Sequence, residues 1–138
     1  IVRAADLGQN QADASALLAL ANCYLVDDLP EAHRLLAAAR RLNPSPPDWY
    51  FWIDCRVRFY NRDFDRCVSA AREVEGPLPP TLYGALAAGM LGDRAAAQRS
   101  REKLRQRFPD FDFERYIASV PIVAPSSVAL FREAADRL

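Results

Sequence analysis

The stretch LANCYLVDDLPEAHRLLAAARRLNP, residues 20–44, decides the fold. Apolar residues recur at helical spacing on both sides of Asp27-Asp28-Leu29-Pro30, and the second run stops at Asn43-Pro44. The two aspartates suit a helix start, where negative charge offsets the dipole and caps free amides. Pro30 suits a first turn, where no amide partner is lost, and Pro44 ends the run. Counting back from Pro44 gives apolar Ala39 at five residues and small Ala32 at seven more. The same spacing joins Cys67, Val74 and Pro79, and again Ala97, Leu104 and Pro109. Successive small positions are offset by 35 residues (Ala32 to Cys67) and 30 residues (Cys67 to Ala97). Three residues before each stand Leu29, Phe64 and Arg94, and twelve before stand Leu20, Cys55 and Ala85. Each unit therefore reads as two antiparallel helices whose backbones approach at the small residues.

Composition agrees with helices and excludes several classes. The 138 residues are 51% hydrophobic with only 5 glycines, too apolar for disorder and too poor in β-branched residues for a sandwich. Eighteen basic and eighteen acidic residues cancel, so no overall field draws in nucleic acid or an anionic membrane. Every apolar run is far shorter than the roughly 18 residues of a membrane span. No basic-then-apolar leader opens the chain, and Ile1 already reads as helix, which suggests a piece of a longer polypeptide. The three cysteines, Cys23, Cys55 and Cys67, form no C-x-x-C pair. They read as reduced thiols filling a cytosolic interior, with Cys55 and Cys67 at the two small positions of one unit.

The repeated spacing resembles the tetratricopeptide repeat, a helix–turn–helix unit of about 34 residues with small residues at the crossing and a terminal proline. Leu20–Pro44 carries the resemblance most fully; Trp49-Tyr50-Phe51-Trp52 with Arg62-Asp63-Phe64, and Leu91-Gly92-Asp93 with Ala97 and Leu104, continue it. Arg58 and Ala88 stand where the family favours an aromatic, and Asp54 where it favours leucine. The resemblance implies an all-α, right-handed solenoid of stacked antiparallel helix pairs over residues 1–110. These comprise a partial unit at 1–10, whose Ala5 and Asn10 fill the apolar and terminal slots of a second helix, and units at about 12–44, 47–79 and 80–109. The helices are expected at 12–26 with 30–42, 47–61 with 64–75, and 80–91 with 93–107. Residues 111–138 are expected to cap the array: a short helix over Asp112–Val120, an extended Pro121–Pro125 linker, and a closing helix capped by Ser126. The apolar stripe of that helix is Val128, Leu130, Phe131, Ala134, Ala135 and Leu138. Such a tail either covers the open end of the array or seeks a partner groove.

Chemistry-bearing motifs for phosphate loops, dinucleotides, zinc hydrolysis and serine hydrolysis are missing from the sequence. The single histidine, His33, stands beside Arg34 on what reads as a solvated helix face, so no catalytic residue, cofactor or metal site is assigned. Asp54, if buried, needs Arg58 or Arg62 as partner. The cations at 94, 99, 101, 103, 105 and 107 spread over nearly four turns without aromatic interleaving and read as a solvated face.

The resemblance places the first helix of each pair on a concave groove. There Trp49, Trp52, Arg56 and Tyr60 share one stripe at spacings of three, four and four. Leu17, Ala21, Tyr24 and Leu25 match it in the first unit, and Leu82, Leu86, Gly89 and Met90 in the third. Trp, Tyr and Arg dominate binding energies elsewhere, although a stripe of aromatics at helical spacing is equally well explained as core. The basic and asparagine clamp of chaperone-tail binders is not matched. Trp49, Trp52, Arg56, Tyr60, Tyr24, Leu17 and Leu86 are therefore the expected contacts for a protein or peptide partner. The alternative is an oligomerisation element whose groove is filled by a sister chain, as in a homodimer, or by its own tail. The Pro-Asp-Trp-Tyr-x-Trp run and the proline-linked closing helix are similar to repeat tails of bacterial class III nucleotide cyclases and winged-helix regulators. That similarity implies the cytoplasmic regulatory portion of a signalling protein.

Overall fold

The computed structural model describes residues 2–74 and 76–138, with side chains from residue 8 onward. Among them the chain is all-helical. Helix α1 (Val2–Ala21) runs on through a wider π-turn at Asn22–Val26, and α2 spans Leu29–Leu42. Then come α3 (Asp48–Tyr60), α4 (Phe64–Glu73), α5 (Leu78–Met90), α6 (Arg94–Arg107), α7 (Phe113–Ser119) and α8 (Pro125–Arg137). No described helix is long and apolar enough to cross a membrane.

Local chemistry sets the turns. Asp27 closes the π-turn in the left-handed region at φ 64°, which aspartate tolerates better than most residues. Asp28 then caps α2, its side chain accepting the Glu31 amide at 3.0 Å. Asp93 and Asp112 cap α6 and α7 in the same way, from Ala96 N–H at 3.0 Å and Arg115 N–H at 2.7 Å. Gly92, at φ 76°, makes the turn between α5 and α6 that a side chain would strain. The small crossing positions Ala32, Cys67, Ala97, Cys55 and Ala85 are all buried. Helix α1 packs on α2 and α3, α3 on α4 and α5, and α5 on α6, while α8 takes the place on α5 that a next pair would fill.

Three expectations are corrected and a fourth is extended. One uninterrupted helix runs through residues 2–21, so no boundary separates a partial unit at 1–10 from a unit beginning at 12; nothing in this alanine-rich stretch breaks a helix. The Ala5 reading lies outside the described side chains. Pro79 opens α5 instead of closing α4, which stops at Glu73; a proline fits a first turn as well as it ends a helix. Ser126 sits inside the first turn of α8, whose N-cap is Ala124, and donates its hydroxyl to the Asp27 carboxylate instead. Asp54, buried between α2 and α3, takes Arg58 Nε at 3.1 Å as expected, but its second partner is Arg40 Nη2 at 2.8 Å, while Arg62 points to Glu133.

Helices α4 and α5 cross closely at Gly84, where an added Cβ would stand 2.8 Å from the Ala71 Cβ. Around Gly8, in α1, nothing lies within 4 Å of the same added atom. Both glycines occupy helix interiors, where alanine alone would stabilise by about 0.5–1 kcal/mol. Gly8→Ala is therefore expected to raise the melting temperature. Gly84→Ala is expected to lower stability by about 1–2 kcal/mol, because the helices must part. Thermal unfolding followed by circular dichroism separates the two signs.

Candidate protein-binding face

The face formed by α1, α3 and α5 on the side of α7 and α8 holds most of the residues singled out from the sequence. Asp13, midway along α1, accepts a hydrogen bond from the Tyr50 hydroxyl near the start of α3, and Tyr24, in the π-turn that follows α1, meets Tyr60 at the end of α3 edge-on at 5.8 Å. The helices α1 and α3 therefore run side by side in the same direction. Along the α3 stripe exposure falls from one end to the other. Trp49, Trp52 and Arg56 are partly exposed, and Tyr60 is buried. Trp49 rests against Tyr50, ring centroids 4.4 Å apart. Arg56 lies with its guanidinium carbon 5.9 Å from the Tyr83 ring centre. Leu17 is exposed, whereas Tyr24 and Leu86 are buried.

The C-terminal segment packs against Tyr24, and Tyr60 is enclosed by Tyr24, Phe59 and Tyr83. After α7 the chain crosses the end of α1, and Val123 and Ala124 both donate to the Tyr24 carbonyl at 2.8 and 2.9 Å. The Ser127 hydroxyl donates to the Cys23 carbonyl at 2.7 Å. Helix ends leave such carbonyls unsatisfied, and here the tail satisfies them. Helix α8 then lies over α5, with Phe131 6.2 Å from Tyr83 and stacked at 5.6 Å on Tyr116. It ends where a Cβ on Gly89 would stand 3.5 Å from the Arg137 carbonyl. Leu130, Phe131 and Ala134 of its expected stripe are fully buried. Tyr24, Tyr60 and Leu86 are accordingly interior groups in this structure, and the surface left open along the stripe is Trp49, Trp52 and Arg56.

Beneath the tail the hydroxyl of Tyr83 meets those of Tyr60 at 2.8 Å and Tyr24 at 3.3 Å. Burial pushes all three phenols well above their ordinary range, so they are neutral donors and acceptors and cannot act as bases near pH 7. Burial disfavours charge on Arg56, but Tyr24, Tyr116 and Tyr83 around it outweigh that and hold its pKa above the ordinary value, so the guanidinium stays protonated. Tyr83 and Tyr116 were not singled out from the sequence. The only available signal was the apolar stripe of the closing helix, which had to meet apolar surface somewhere.

No cluster of three metal-binding side chains occurs among the described residues, and His33 lies exposed on α2. The three cysteines are unpaired and buried. Cys67 Sγ donates to the carbonyls of Cys55 at 3.2 Å and Tyr83 at 3.4 Å. The arrangement offers apolar and aromatic contact, backbone hydrogen bonding and one guanidinium. In comparisons with known proteins, no family model, curated protein or solved structure matches the chain.

Burial pushes the Cys23 and Cys55 thiols up to about 12 from an ordinary 9.0, nearby Asp27 and Asp54 adding to the effect. The thiolate is the reactive form, so alkylation by iodoacetamide at pH 8 is expected to run at least a hundredfold slower in the native chain than in urea, as read by mass spectrometry. The unfolded thiols ionise first. The stability these groups contribute is therefore complete below pH 9 and lost as pH rises toward 12.

Proposed function

We propose that this chain is a protein-interaction scaffold: paired helices hold a recognition face on α1, α3 and α5 that accepts a segment of protein. The observation that carries the reading is the seating of residues 122–135 on that face. Backbone amides of Val123 and Ala124 serve the α1 terminus, and Leu130, Phe131 and Ala134 of α8 fill the aromatic floor. An amphipathic helix preceded by an extended segment is a common form of peptide ligand, and here the chain supplies one to itself. An external peptide or partner segment would meet Trp49, Trp52 and Arg56, which the tail leaves partly exposed, or would compete with the tail for Tyr24, Tyr60 and Leu86. Tryptophan, tyrosine and arginine bring large contact area and a polar handle to such a site. The resemblance to tetratricopeptide repeats supports this reading. The similarity to repeat tails of cyclases and winged-helix regulators extends it to the cytoplasmic regulatory portion of a larger bacterial signalling protein. The segment is assigned no catalysis, cofactor, nucleic acid or membrane in this reading.

A second reading has its own observation. The linker at 120–124 is extended between Pro121 and Pro125, and every contact that seats the tail would form equally with a sister chain if α8 were exchanged. Light scattering over a concentration series distinguishes a monomer from such an exchanged dimer.

The scaffold reading is tested with a fluorescein-labelled peptide of residues 121–138. In the full chain carrying Phe131→Ala the resident tail is weakened, and the peptide restores the missing ring. Fluorescence anisotropy is expected to show binding at least tenfold tighter to that variant than to the parent chain. Absence of binding to both, with the variant still helical by circular dichroism, would contradict the reading.

A further inference from the structure

Helices α4, α5 and α6 enclose a half-open cavity of about 160 Å³. Among the described residues its lining comes only from these three helices and Val74, the C-cap of α4. Tyr83 and Gly89, through which α5 meets α8, take no part in it. The sequence explains the hollow: its floor on α5 is Gly84, Ala85 and Ala88, buried residues too short to fill the space between α4 and α6. Arg72 of α4 and Arg99 of α6 stand exposed at its rim, each without an ion pair or hydrogen bond among the described residues. Lys103, one turn beyond Arg99, lines it as well, and no carboxylate does so among the described residues. The corresponding groove one unit earlier, between α2 and α4 over α3, is different. It too holds arginines, Arg40, Arg58 and Arg66, but Asp54 and Glu73 line it with them, and Asp54 binds both Arg40 and Arg58. One groove is neutralised from within, and the next presents cations without that counter-charge.

We propose that the cavity between α4, α5 and α6 binds a small organic acid, one carboxylate on an apolar body the size of a single ring or branched chain. The site lies apart from the face that seats the tail and does not depend on the scaffold reading. Size sets the apolar part, since a cavity of about 150 Å³ with aliphatic walls admits one benzene ring. The alanine floor and the Val68 and Val74 walls match such a group. Charge sets the head. The Thr81 hydroxyl already donates to the Pro77 carbonyl at 2.9 Å, so the lining donors left for a ligand include Arg72, Arg99 and Ser100. A guanidinium holds a carboxylate through two parallel charge-assisted hydrogen bonds. The backbone sets the ligand's kind. Most of the lining lies inside helices, whose amides and carbonyls are bonded within the helix. A peptide laid there would leave its own main-chain groups unpaired on an apolar floor, a cost that a small acid does not incur.

The test titrates the full 15N-labelled chain with four probes: phenylacetate, its neutral counterpart phenylacetamide, acetate and inorganic phosphate. Backbone amides of Ala85, Ala88 and Ser100 report on the cavity, and the indole signals of Trp49 and Trp52 on α3 serve as controls. Phenylacetate is expected to shift the three amides saturably, leave both indoles in place, and bind at least fivefold more tightly than any of the other three. The double variant Arg72→Gln/Arg99→Gln, altered only at exposed positions, is expected to bind phenylacetate no better than phenylacetamide while its helical circular dichroism stays unchanged. Ala96→Leu, which places a larger side chain in the half-buried wall on α6, is expected to weaken phenylacetate at least tenfold. Equal affinity for phenylacetate and phenylacetamide would overturn the proposal, as would acetate or phosphate binding as tightly as phenylacetate. So would shifts that fail to saturate below about 10 mM, weaker than a ligand of this size reaches in a fitting site.

Discussion

Three phenol hydroxyls meet where α1, α3 and α5 lie side by side: Tyr83 within 2.8 Å of Tyr60 and 3.3 Å of Tyr24. Each comes from a different helix, and each is buried beyond the reach of bulk water. A buried hydroxyl left unpaired costs about 1–3 kcal/mol, so the trio ties the lateral spacing of the three helices to hydrogen-bond length. Its rings extend the constraint. Phe59 lies 5.3 Å from Tyr83 and 5.2 Å from Tyr60 in edge-on contacts, and Phe131 of α8 closes on Tyr83 from the other side. Repeated helix pairs can slide past one another when only aliphatic groups touch. Here a directional polar centre fixes them, and the tail is what keeps that centre dry.

The tail is held at its entry by a local irregularity. Where α1 widens at Asn22–Val26 and stops at left-handed Asp27, the Cys23 and Tyr24 carbonyls become acceptors for Ser127, Val123 and Ala124. Wide turns of this kind are rare and recur at functional sites. Beyond the entry, α8 depends on side-chain packing. The segment thus has a hydrogen-bonded anchor at one end and an apolar grip along the rest, with Arg62–Glu133 as a weak exposed pair at 4.0 Å. Tyr83, which hydrogen-bonds Tyr60, lies under the grip.

Much of this architecture could be read locally. The spacing of Ala32, Ala39 and Pro44, repeated twice, located α2, α4 and α6 to within two residues, because backbone crossing demands small side chains at fixed intervals. Asp28 was legible for the same reason, since a cap is satisfied within a few residues. The errors arose where one residue type serves two opposite ends. Pro79 was aligned as a terminator although it opens α5, and Ser126 was read as a cap although a carboxylate from α1's end claims its hydroxyl. What periodicity could not reveal was coverage. Trp49, Trp52, Arg56 and Tyr60 do share one stripe, but which of them meets solvent depends on where residues 111–138 fold back. That is set by contacts between residues far apart in the chain, such as Tyr83 with Phe131 and the Tyr24 carbonyl with Val123. Arg40 was missed as the partner of Asp54 because the packing of α2 on α3, not sequence proximity, joins them.

If the docked tail is the element on which the face depends, its amides must open as one unit separately from the helix pairs beneath. Native-state hydrogen exchange measures this directly through Val123 and Ala124, the two amides bonded to Tyr24. The account predicts that both are protected, that they open together with the amides of α8 at a free energy below that of global unfolding, and that Phe131→Ala speeds their exchange while α3 and α4 are unaffected. Exchange of Val123 and Ala124 at the rate of an unstructured peptide, or protection lost in all helices together, would contradict it.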